Sequence, residues 1–495
     1  MITEITVYHK ICYISTDDSI LRQIDNILSF MVQGAFFSRQ YRTRRWDGKT
    51  HLFNKRTNSF NRGLLYRVLT YLDNEKIEYV IIDKSTTVVN YQIQYLDQTV
   101  NGFTLRPYQK QAILKYIKPY WNLTNTRGIF DLPPRSGKTI LSGFLSLVLN
   151  EYPVLFIVHK IDLAYQTKEV FDNLFGIDCG IVGDGNFKLN SKVVISTIQS
   201  IATTYKVKLQ NTDDISYDKE KEIPDKQLFK QFINNAKVVI GDECHISAAN
   251  VHQSLIPDLK SVKYMIGLSG TPFREDKSSL LIENMYGPII FQLSREEAVQ
   301  NGYILPIKSY FIELPEITVS AVDTQTMKKE AVNQNPYMID SIVKLVKRCE
   351  RKGLSSIVMV REHSQGNLIQ ERMKSVIYLK GSVSGEQRKA TYKMLEQKQI
   401  LTILSTVTDI GVDIPSLDCV IVAGITKSKT LALQRIRCGT PGGNKKFGRI
   451  FIFCPRISNK ISTSKKYVEN WWKKTLSYYK NEPTFTVKYL SINDL

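Results

Sequence analysis

Apolar runs alternate with amphipathic stretches over most of this chain, from about residue 101 to residue 455. The continuous apolar run 153–158 predicts a buried parallel strand, and the spacing of apolar residues over 161–175 predicts the helix that follows it. A second block repeats the alternation from residue 355 and ends with a last predicted strand at 448–453. Two such blocks predict two doubly wound parallel-sheet domains of the α/β class, with a cleft between them.

The first hundred residues follow a different pattern, which predicts a separate small α+β unit. Short strands are predicted at 5–8 and 11–14, a helix at 19–32, and a hairpin around the turn signal Asp47-Gly48. The predicted organisation is an N-terminal accessory domain at 1–100, a first α/β domain at 101–305 with a polar surface insertion at 205–232, a second α/β domain at 306–455, and a basic, aromatic C-terminal tail at 456–495.

The composition adds a preference for polyanions. A chain of 495 residues is too long for one core, and its hydrophobic and charged fractions of 43% and 23% are ordinary for a globular protein. Its charge is unusual, because 67 Lys and Arg stand against 47 Asp and Glu, for a net charge of +20. This excess favours nucleic acid as a partner, ahead of an anionic membrane surface. Charge alone does not exclude the alternative that the protein is basic without binding a polyanion.

Several classes of protein are disfavoured by what the sequence lacks. No apolar run approaches the roughly 20 residues that cross a bilayer, and the N-terminus has neither the basic start nor the apolar core of an export signal. The seven cysteines form no C-x-x-C pair, which argues against a zinc site and a disulfide framework. We therefore expect no membrane partner and a cytoplasmic location, in the host cell if the gene belongs to a phage.

The stretch from Asp131 to Thr139 follows a short apolar run and precedes a predicted helix, which is the context that a phosphate-binding loop requires. Gly137 would let the backbone approach phosphates closely, Lys138 would reach the β- and γ-phosphates, and Thr139 would ligate Mg²⁺. The full pattern has a glycine five residues before Gly137, where this chain has Leu132. This motif alone does not exclude the alternative that the stretch is an ordinary loop before a core helix.

A pair of carboxylates follows the apolar run 237–241, at the end of a predicted strand where ligands of parallel sheets bind. Asp242 would hold Mg²⁺ together with Thr139, and Glu243 would orient and deprotonate an attacking water. His245 would link this site to neighbouring motifs. The alternative is a solvated acidic turn, which is weakened by the Gly-Lys-Thr sequence about 100 residues upstream in the same block.

Basic and aromatic residues are interleaved in the N-terminal unit between residues 39 and 62. Such a mixture suits phosphate contacts combined with base stacking. A solvated basic hairpin with a packed Trp46 is an equally good interpretation. The residues of this stretch that we predict to contact nucleic acid are Arg44, Arg45, Trp46 and Lys49.

The ordered motifs over roughly residues 103–455 resemble the superfamily 2 helicases and translocases of the DExH type. The motifs are Arg106 with Gln109 (Q-motif), Pro134–Thr139 (motif I), Ile157–Gln166 (Ia), Ile195–Ser200 (Ib), Asp242–His245 (II), Ser269–Pro272 (III), Gly381 with Gly385 and Arg388 (IVa), Ser405–Val407 with Gly411–Pro415 (V), and Gln434–Arg437 (VI).

This resemblance implies two tandem RecA-like domains with ATP and Mg²⁺ bound between them. It implies that the nucleotide is held by Arg106, Gln109, Pro134, Arg135, Ser136, Gly137, Lys138, Thr139, His245, Gly411 and Asp413, with Thr139 and Asp242 on the metal. It further implies catalytic roles for Lys138, Asp242, Glu243, Gln434, Arg435 and Arg437, and nucleic-acid contacts by His159, Lys160, Gln166, Thr197, Thr271 and Thr406.

The stretches Trp46–Lys49, Leu52–Phe53 and Asn61–Leu65 resemble the accessory domain of phage UvsW-type enzymes, which unwind forks and drive branch migration. We therefore expect an ATP-dependent DNA helicase or translocase that acts on forked or branched DNA in replication, recombination or repair. The oligomeric state stays open and is compatible with a monomer.

Four alternatives to this expectation differ in substrate or in chemistry. A double-stranded DNA translocase that separates no strands and an RNA helicase would use the same core. A DNA-binding protein with a degenerate ATP site is kept open by the altered motif VI, where Arg437 is followed by Cys438-Gly439-Thr440-Pro441. A nuclease is least favoured, because no further carboxylate cluster stands out.

Overall fold

The computed structural model describes residues 2–32, 34–85, 90–119, 121, 123–209, 222–244, 249–270, 279–319, 323–381, 383–406, 417–424, 432–433, 445–458 and 462–495. The chain divides into two compact units, the first with most of residues 1–293 and the second with residues 294–495 together with the short segment 134–136. No described helix is both long and apolar enough to cross a bilayer.

The first unit begins with a small mixed sheet that two amphipathic helices cover. Alternating burial along β1 places Ile5 and Val7 in a core with Leu28, Phe60 and Leu69. The sheet has the order β5-β6-β2-β1-β7, with β1 and β7 parallel and the other neighbours antiparallel. The elements are β1 (Thr3–Val7), β2 (Ile11–Ser15), α1 (Asp18–Ile27), β3 (Ser29–Met31), α2 (Arg39–Arg42), β4 (Lys49–His51), β5 (Phe53–Asn54), β6 (Ser59–Asn61), α3 (Leu65–Asn74) and β7 (Tyr79–Asp83).

The hairpin predicted around Asp47-Gly48 is wrong, and so is the single helix predicted over 19–32. The helix α1 ends at Ile27, and β3 then pairs with β4 as a separate two-stranded ribbon. Residues 34–48, here called the basic insertion, connect these two strands and contain α2. The turn signal therefore lies at the end of an insertion. The strand β4 pairs with β3, which precedes the insertion, and not with a strand directly before Asp47-Gly48.

The rest of the first unit is a doubly wound α/β domain, as predicted. Its eight-stranded sheet has the order β11-β10-β12-β9-β13-β14-β8-β15 and is parallel except for β11. The elements are α4 (Pro107–Ile117), β8 (Arg127–Asp131), α5 (Lys138–Leu149), β9 (Val154–Val158), α6 (Ile161–Phe175), β10 (Cys179–Gly183), β11 (Asn186–Phe187), β12 (Val193–Thr197), α7 (Ile198–Tyr205), α8 (Lys226–Asn235), β13 (Val238–Asp242), α9 (Ala249–Leu255), β14 (Tyr264–Ser269), α10 (Ser279–Tyr286) and β15 (Ile289–Gln292).

This topology determines where the candidate chemistry lies. The strands β13, β14 and β8 are neighbours and run parallel, so their carboxyl ends share one edge of the sheet. Residue Asp131 ends β8, Asp242 ends β13 and Ser269 ends β14. The phosphate-loop candidate and the acidic pair therefore meet at this edge, where ligands of doubly wound sheets bind.

Two buried arginines join the small N-terminal sheet to the α/β domain. Arg62 donates to the carbonyl oxygens of Tyr8 and Thr124, at 3.1 and 3.0 Å. Arg127 donates to the carbonyl oxygens of His9 and Lys263, at 2.6 and 2.9 Å. Burial and the neighbouring Arg62 guanidinium lower the pKa of Arg127 to about 9. Both guanidinium groups thus satisfy loop carbonyls that no strand pairing reaches.

The second unit is another parallel α/β sheet, with the order β18-β19-β17-β20-β21-β16-β22. Buried aliphatic side chains such as Ile357 and Leu404 form cores on its two faces. The elements are α11 (Arg295–Gln300), β16 (Ile307–Ile317), α12 (Thr324–Lys328), α13 (Pro336–Arg351), β17 (Ser356–Met359), α14 (His363–Arg372), β18 (Ile377–Leu379), α15 (Gly385–Glu396), β19 (Thr402–Ser405), β20 (Cys419–Val422), β21 (Gly448–Ile457), α16 (Ser462–Lys480) and β22 (Phe485–Ser491).

The C-terminal segment packs on this sheet, and the strand predicted at 448–453 is not the last. The strand β22 pairs in parallel with β16 and forms the edge of the sheet. The helix α16 contributes the buried Trp471 to the core, and its Tyr479 hydroxyl donates to the Ala432 carbonyl at 2.7 Å. The aromatic residues of the predicted basic, aromatic tail are thus partly core residues of the second unit.

A close approach between the N-terminal region and α10 generates a prediction about stability. A methyl group on Gly63 would lie 2.2 Å from the Glu283 carbonyl oxygen and 2.6 Å from that of Asn284. Because backbone atoms cannot move aside cheaply, we expect Gly63→Ala to destabilise the first unit by about 1–3 kcal/mol. Scanning calorimetry should show this as a lower unfolding temperature of one transition.

The matched control is Gly424→Ala in the second unit, where the one contact of the added methyl group among the described residues is the Arg361 Cβ atom, at 3.5 Å. This substitution should leave the unfolding temperature nearly unchanged. An unchanged melting profile for Gly63→Ala would contradict the packing described here.

Candidate functional site

The phosphate-loop candidate runs from the end of β8 to the start of α5. Gly137 has a φ of +82°, and a Cβ atom there would lie 3.0 Å from the Gln109 amide nitrogen, so glycine suits this position on both counts. Leu132, at the position where the pattern has glycine, is fully buried, and its N–H donates to the Ser269 carbonyl at 2.7 Å. This residue extends β8 along β14, which explains why a side chain is accepted there.

Lys138 and Glu243 form the central contact of the site. The Lys138 Nζ atom lies 2.5 Å from the Glu243 Oε1 atom, and both side chains are 11% exposed. Glu243 has a φ of +45°, which is uncommon for a residue with a side chain. The Glu243 backbone N–H donates to Asp242 Oδ1 at 3.0 Å, so the Asp242 carboxylate stabilises the turn that follows β13.

Burial makes this a site of perturbed acidity. Burial raises the pKa of Asp242 to about 6, with Lys138 opposing the shift and Glu243 adding to it. Burial also raises the pKa of Asp131 to about 6, although the Gln292 amide donates to its carboxylate at 2.8 Å. Burial by itself would lower the pKa of Lys138, but the Glu243 and Asp242 carboxylates outweigh it and raise that pKa.

These residues fit a magnesium-bound triphosphate by the chemistry of their donors. Asp242 and Thr139 offer oxygen ligands of the kind that Mg²⁺ prefers, and desolvated carboxylates gain from a nearby cation. Lys138 and the N–H groups at the start of α5 offer positive charge to phosphate oxygens. The chemistry of such a ligand is hydrolysis of its terminal phosphoanhydride bond.

Gln109 supports the phosphate loop from behind. Its side-chain oxygen accepts from the Arg106 N–H at 2.9 Å, and its amide nitrogen donates to the Gly137 carbonyl at 3.3 Å. The buried amide thus connects the start of α4 to the loop, while Arg106 is partly exposed. Adenine recognition by these two residues stays a prediction.

Two residues of the site were not predicted from the sequence. Asp131 has a raised pKa beside Lys138, and Gln292 orients its carboxylate. The position of Asp131 directly after a buried strand was a usable signal, since carboxylates there face the ligand edge. Gln292 had no such signal, because it ends a strand that the apolar pattern did not predict.

The structure separates the predicted nucleic-acid contacts of the first α/β domain into two groups. Lys160 and Gln166 are partly exposed, whereas His159 and Thr197 are buried. The Thr197 hydroxyl accepts from the Ser200 N–H at 3.1 Å and caps α7, so its visible role is structural. In the second unit, the partly exposed Thr406 follows β19 and donates through its N–H to the Leu379 carbonyl at 3.1 Å.

The remaining phosphate-loop residues differ in backbone conformation and exposure. Arg135 has a φ of +74°, Ser136 is buried, and Pro134 and Thr139 are partly exposed. Seven predicted site residues lie outside the described residues, and their roles stay predictions: His245, Thr271, Gly411, Asp413, Gln434, Arg435 and Arg437.

The basic insertion presents its predicted arginines to solvent. Arg44 and Arg45 are exposed, whereas Trp46 is partly buried and its indole N–H donates to the Lys49 carbonyl at 2.8 Å. The insertion is anchored by His51, whose ring nitrogens lie 2.7 Å from an Asp25 oxygen and 2.8 Å from an Asp47 oxygen.

Two protein families match segments of this chain. Residues 102–274 match the family described as type III restriction enzyme, res subunit, and residues 338–441 match the helicase conserved C-terminal domain. The chain is 23% identical to the ATP-dependent DNA helicase uvsW of Enterobacteria phage T4, over 93% of both chains. It is 25% identical to the DNA 3'-5' translocase XPB2 of Sulfurisphaera tokodaii, over 67% of this chain and 77% of that relative.

A solved structure supports the fold alone. Saccharomyces cerevisiae Dbp5 bound to RNA and ADP BeF3 superposes with a TM-score of 0.54 at 14% identity, covering 79% of this chain and 91% of the other. The match extends over both α/β domains, which is consistent with a tandem RecA-like architecture.

The anchor of the basic insertion makes stability depend on pH. Burial lowers the pKa of His51, but hydrogen bonds and charge from Asp25 and Asp47 outweigh it, so the pKa is raised. The stabilisation is therefore complete below the unfolded value of about 6.5 and is lost as the pH rises through the raised folded pKa. We expect His51→Gln to lower the melting temperature more at about pH 6 than at about pH 9.

The control for this comparison is His363→Gln, since His363 is an exposed residue at the start of α14. Its effect on the melting temperature should be small at both pH values. If His51→Gln lowered the melting temperature equally at both, the ion pairs of His51 would not be the cause.

Proposed function

We propose that this chain, which belongs to the superfamily 2 helicases, is an ATP-driven DNA motor that unwinds or remodels forked and branched DNA. The observation that supports the motor chemistry best is the buried Lys138–Glu243 pair beside Asp242, at the shared carboxyl edge of β8 and β13. A lysine, a general-base carboxylate and a metal-binding carboxylate at one ligand edge are the groups that phosphoryl transfer to water requires.

The proposed roles follow from the contacts of each residue. Lys138 exchanges its present partner, Glu243, for phosphate oxygens when a nucleotide binds. The exchange frees the Glu243 carboxylate, which can then orient a water molecule and accept its proton. Asp242 and Thr139 hold the magnesium ion, and Gln109 keeps the Gly137 carbonyl in place. The site thus has its general base neutralised by an ion pair until a phosphate competes for the lysine.

The charge of the chain and its likeness to DNA helicases support DNA as the substrate along which the motor moves. The net charge of +20 and the exposed arginines of the basic insertion suit a phosphate backbone. The relative that carries the name of a DNA helicase aligns with 93% of this chain, a span that must include part of the N-terminal sheet. We therefore assign residues 1–100 to an accessory domain that engages branched DNA.

The test of the motor is ATP hydrolysis by the wild type and by Glu243→Gln, each with and without forked DNA. The substitution keeps the shape of the side chain and removes its basicity. We expect DNA-stimulated turnover by the wild type and a decrease on the order of 10²–10⁴-fold in the variant. The matched control is Glu396→Gln on an exposed position of α15, which should hydrolyse ATP like the wild type.

Two results would contradict the proposal. Turnover by Glu243→Gln at the wild-type rate would remove Glu243 from catalysis, and absence of turnover in the wild type would indicate a DNA-binding protein with a degenerate site. A second candidate, RNA unwinding, is favoured by a relative named putative ATP-dependent RNA helicase L396, of Acanthamoeba polyphaga mimivirus, which is 25% identical over 74% of this chain. Strand separation measured on DNA and RNA forks of matched sequence distinguishes it, and translocation without separation on either fork would indicate a double-stranded DNA translocase.

A further inference from the structure

The basic insertion carries the most exposed aromatic side chain that the structure describes. Phe37 is 83% exposed and its neighbour Phe36 is 57% exposed. An apolar ring in water forgoes the free energy of burial, so two adjacent rings on a surface indicate a binding role.

The backbone that presents these rings is held in one arrangement. The Arg42 guanidinium donates to the Phe37 carbonyl at 2.8 Å, and the Ser38 hydroxyl caps α2 by accepting from the Tyr41 N–H at 3.1 Å. The Phe36 ring meets the Tyr41 ring edge to face at 5.0 Å. An ordered backbone means that little conformational entropy is lost when the Phe37 ring is covered.

The same segment is closely packed at its base. Gly48 has a φ of +80°, and a methyl group there would lie 2.8 Å from both the Met31 sulfur and the Tyr41 ring. The base of the insertion is therefore closely packed, whereas Phe37 is exposed to solvent.

Positive charge surrounds the exposed rings. Arg39, Arg42, Arg44 and Arg45 are all exposed, and none of them forms an ion pair with another residue among those that the structure describes. Guanidinium groups without carboxylate partners are available for phosphate, and a ring beside them can stack on a base. Trp46 is less suited to stacking, because it is partly buried and its N–H is bonded within the insertion.

We propose that Phe37 stacks on the base exposed where the strands of branched DNA diverge, while the surrounding arginines hold the flanking phosphates. This inference rests on the proposed function and deepens it, because it identifies the residue that recognises the branch. A ring can stack only on a free base face. In a continuous duplex both faces of each base are covered by neighbouring pairs, whereas a branch point leaves one face open.

The test places the fluorescent base 2-aminopurine at the branch point of a DNA fork and compares wild type with Phe37→Ala and Phe37→Trp, without nucleotide. Stacking of a ring on this base changes its fluorescence. We expect a signal with the wild type and Phe37→Trp, and its loss in Phe37→Ala together with about tenfold weaker fork binding. The control Tyr337→Ala removes an exposed aromatic residue from the second unit and should behave like the wild type.

The readout requires no hydrolysis, so it remains informative if the proposed motor activity fails. A wild-type fluorescence change and fork affinity in Phe37→Ala, with an unchanged melting temperature, would overturn the proposal. So would equal weakening by Phe37→Ala on forked and continuous duplex DNA, since that would indicate a general phosphate-binding surface. A loss of binding to anionic vesicles or to RNA forks in Phe37→Ala, with fork DNA binding retained, would assign the rings to a different partner and equally overturn it.

Discussion

The ion pair between Lys138 and Glu243 joins two turns that are 105 residues apart in sequence, and the arrangement of the candidate site depends on it. Both turns use left-handed backbone conformations, with a φ of +82° at Gly137 and +45° at Glu243, and the latter is uncommon for a residue with a side chain. A buried ion pair contributes little net stability, because desolvation offsets its attraction, but the loss of one partner leaves an uncompensated charge. We therefore interpret the pair as a contact that keeps Lys138 and Glu243 in position until a phosphate binds.

The first unit also holds the basic insertion, the surface that we propose contacts nucleic acid. Arg62 and Arg127 bond loop carbonyls on both sides of the junction between the N-terminal sheet and the α/β domain. The close approach of Gly63 to α10 adds a contact between backbones. The basic insertion is thus part of the same compact unit as Lys138 and Glu243.

The second unit shows how a parallel sheet is completed by the end of a chain. The strand β22 adds to the edge at β16, and α16 covers the core with Trp471 and Tyr479. Charged side chains share this segment with buried aromatic ones, so its composition by itself indicated only a basic, aromatic tail. The buried positions only become evident once the sheet to which they belong is known.

Apolar periodicity and short motifs are local properties of a chain, so they predicted the two α/β blocks, their order, and the candidates for the phosphate loop and the acidic pair. The folded arrangement was needed to show that Asp47-Gly48 ends an insertion, that Gln109 supports Gly137, that Thr197 is buried, and that Phe37 is exposed. Strand pairing, side-chain burial and the partner of a hydrogen bond are set by residues distant in the chain. Local patterns therefore predicted which elements form, and long-range contacts decided what each side chain touches.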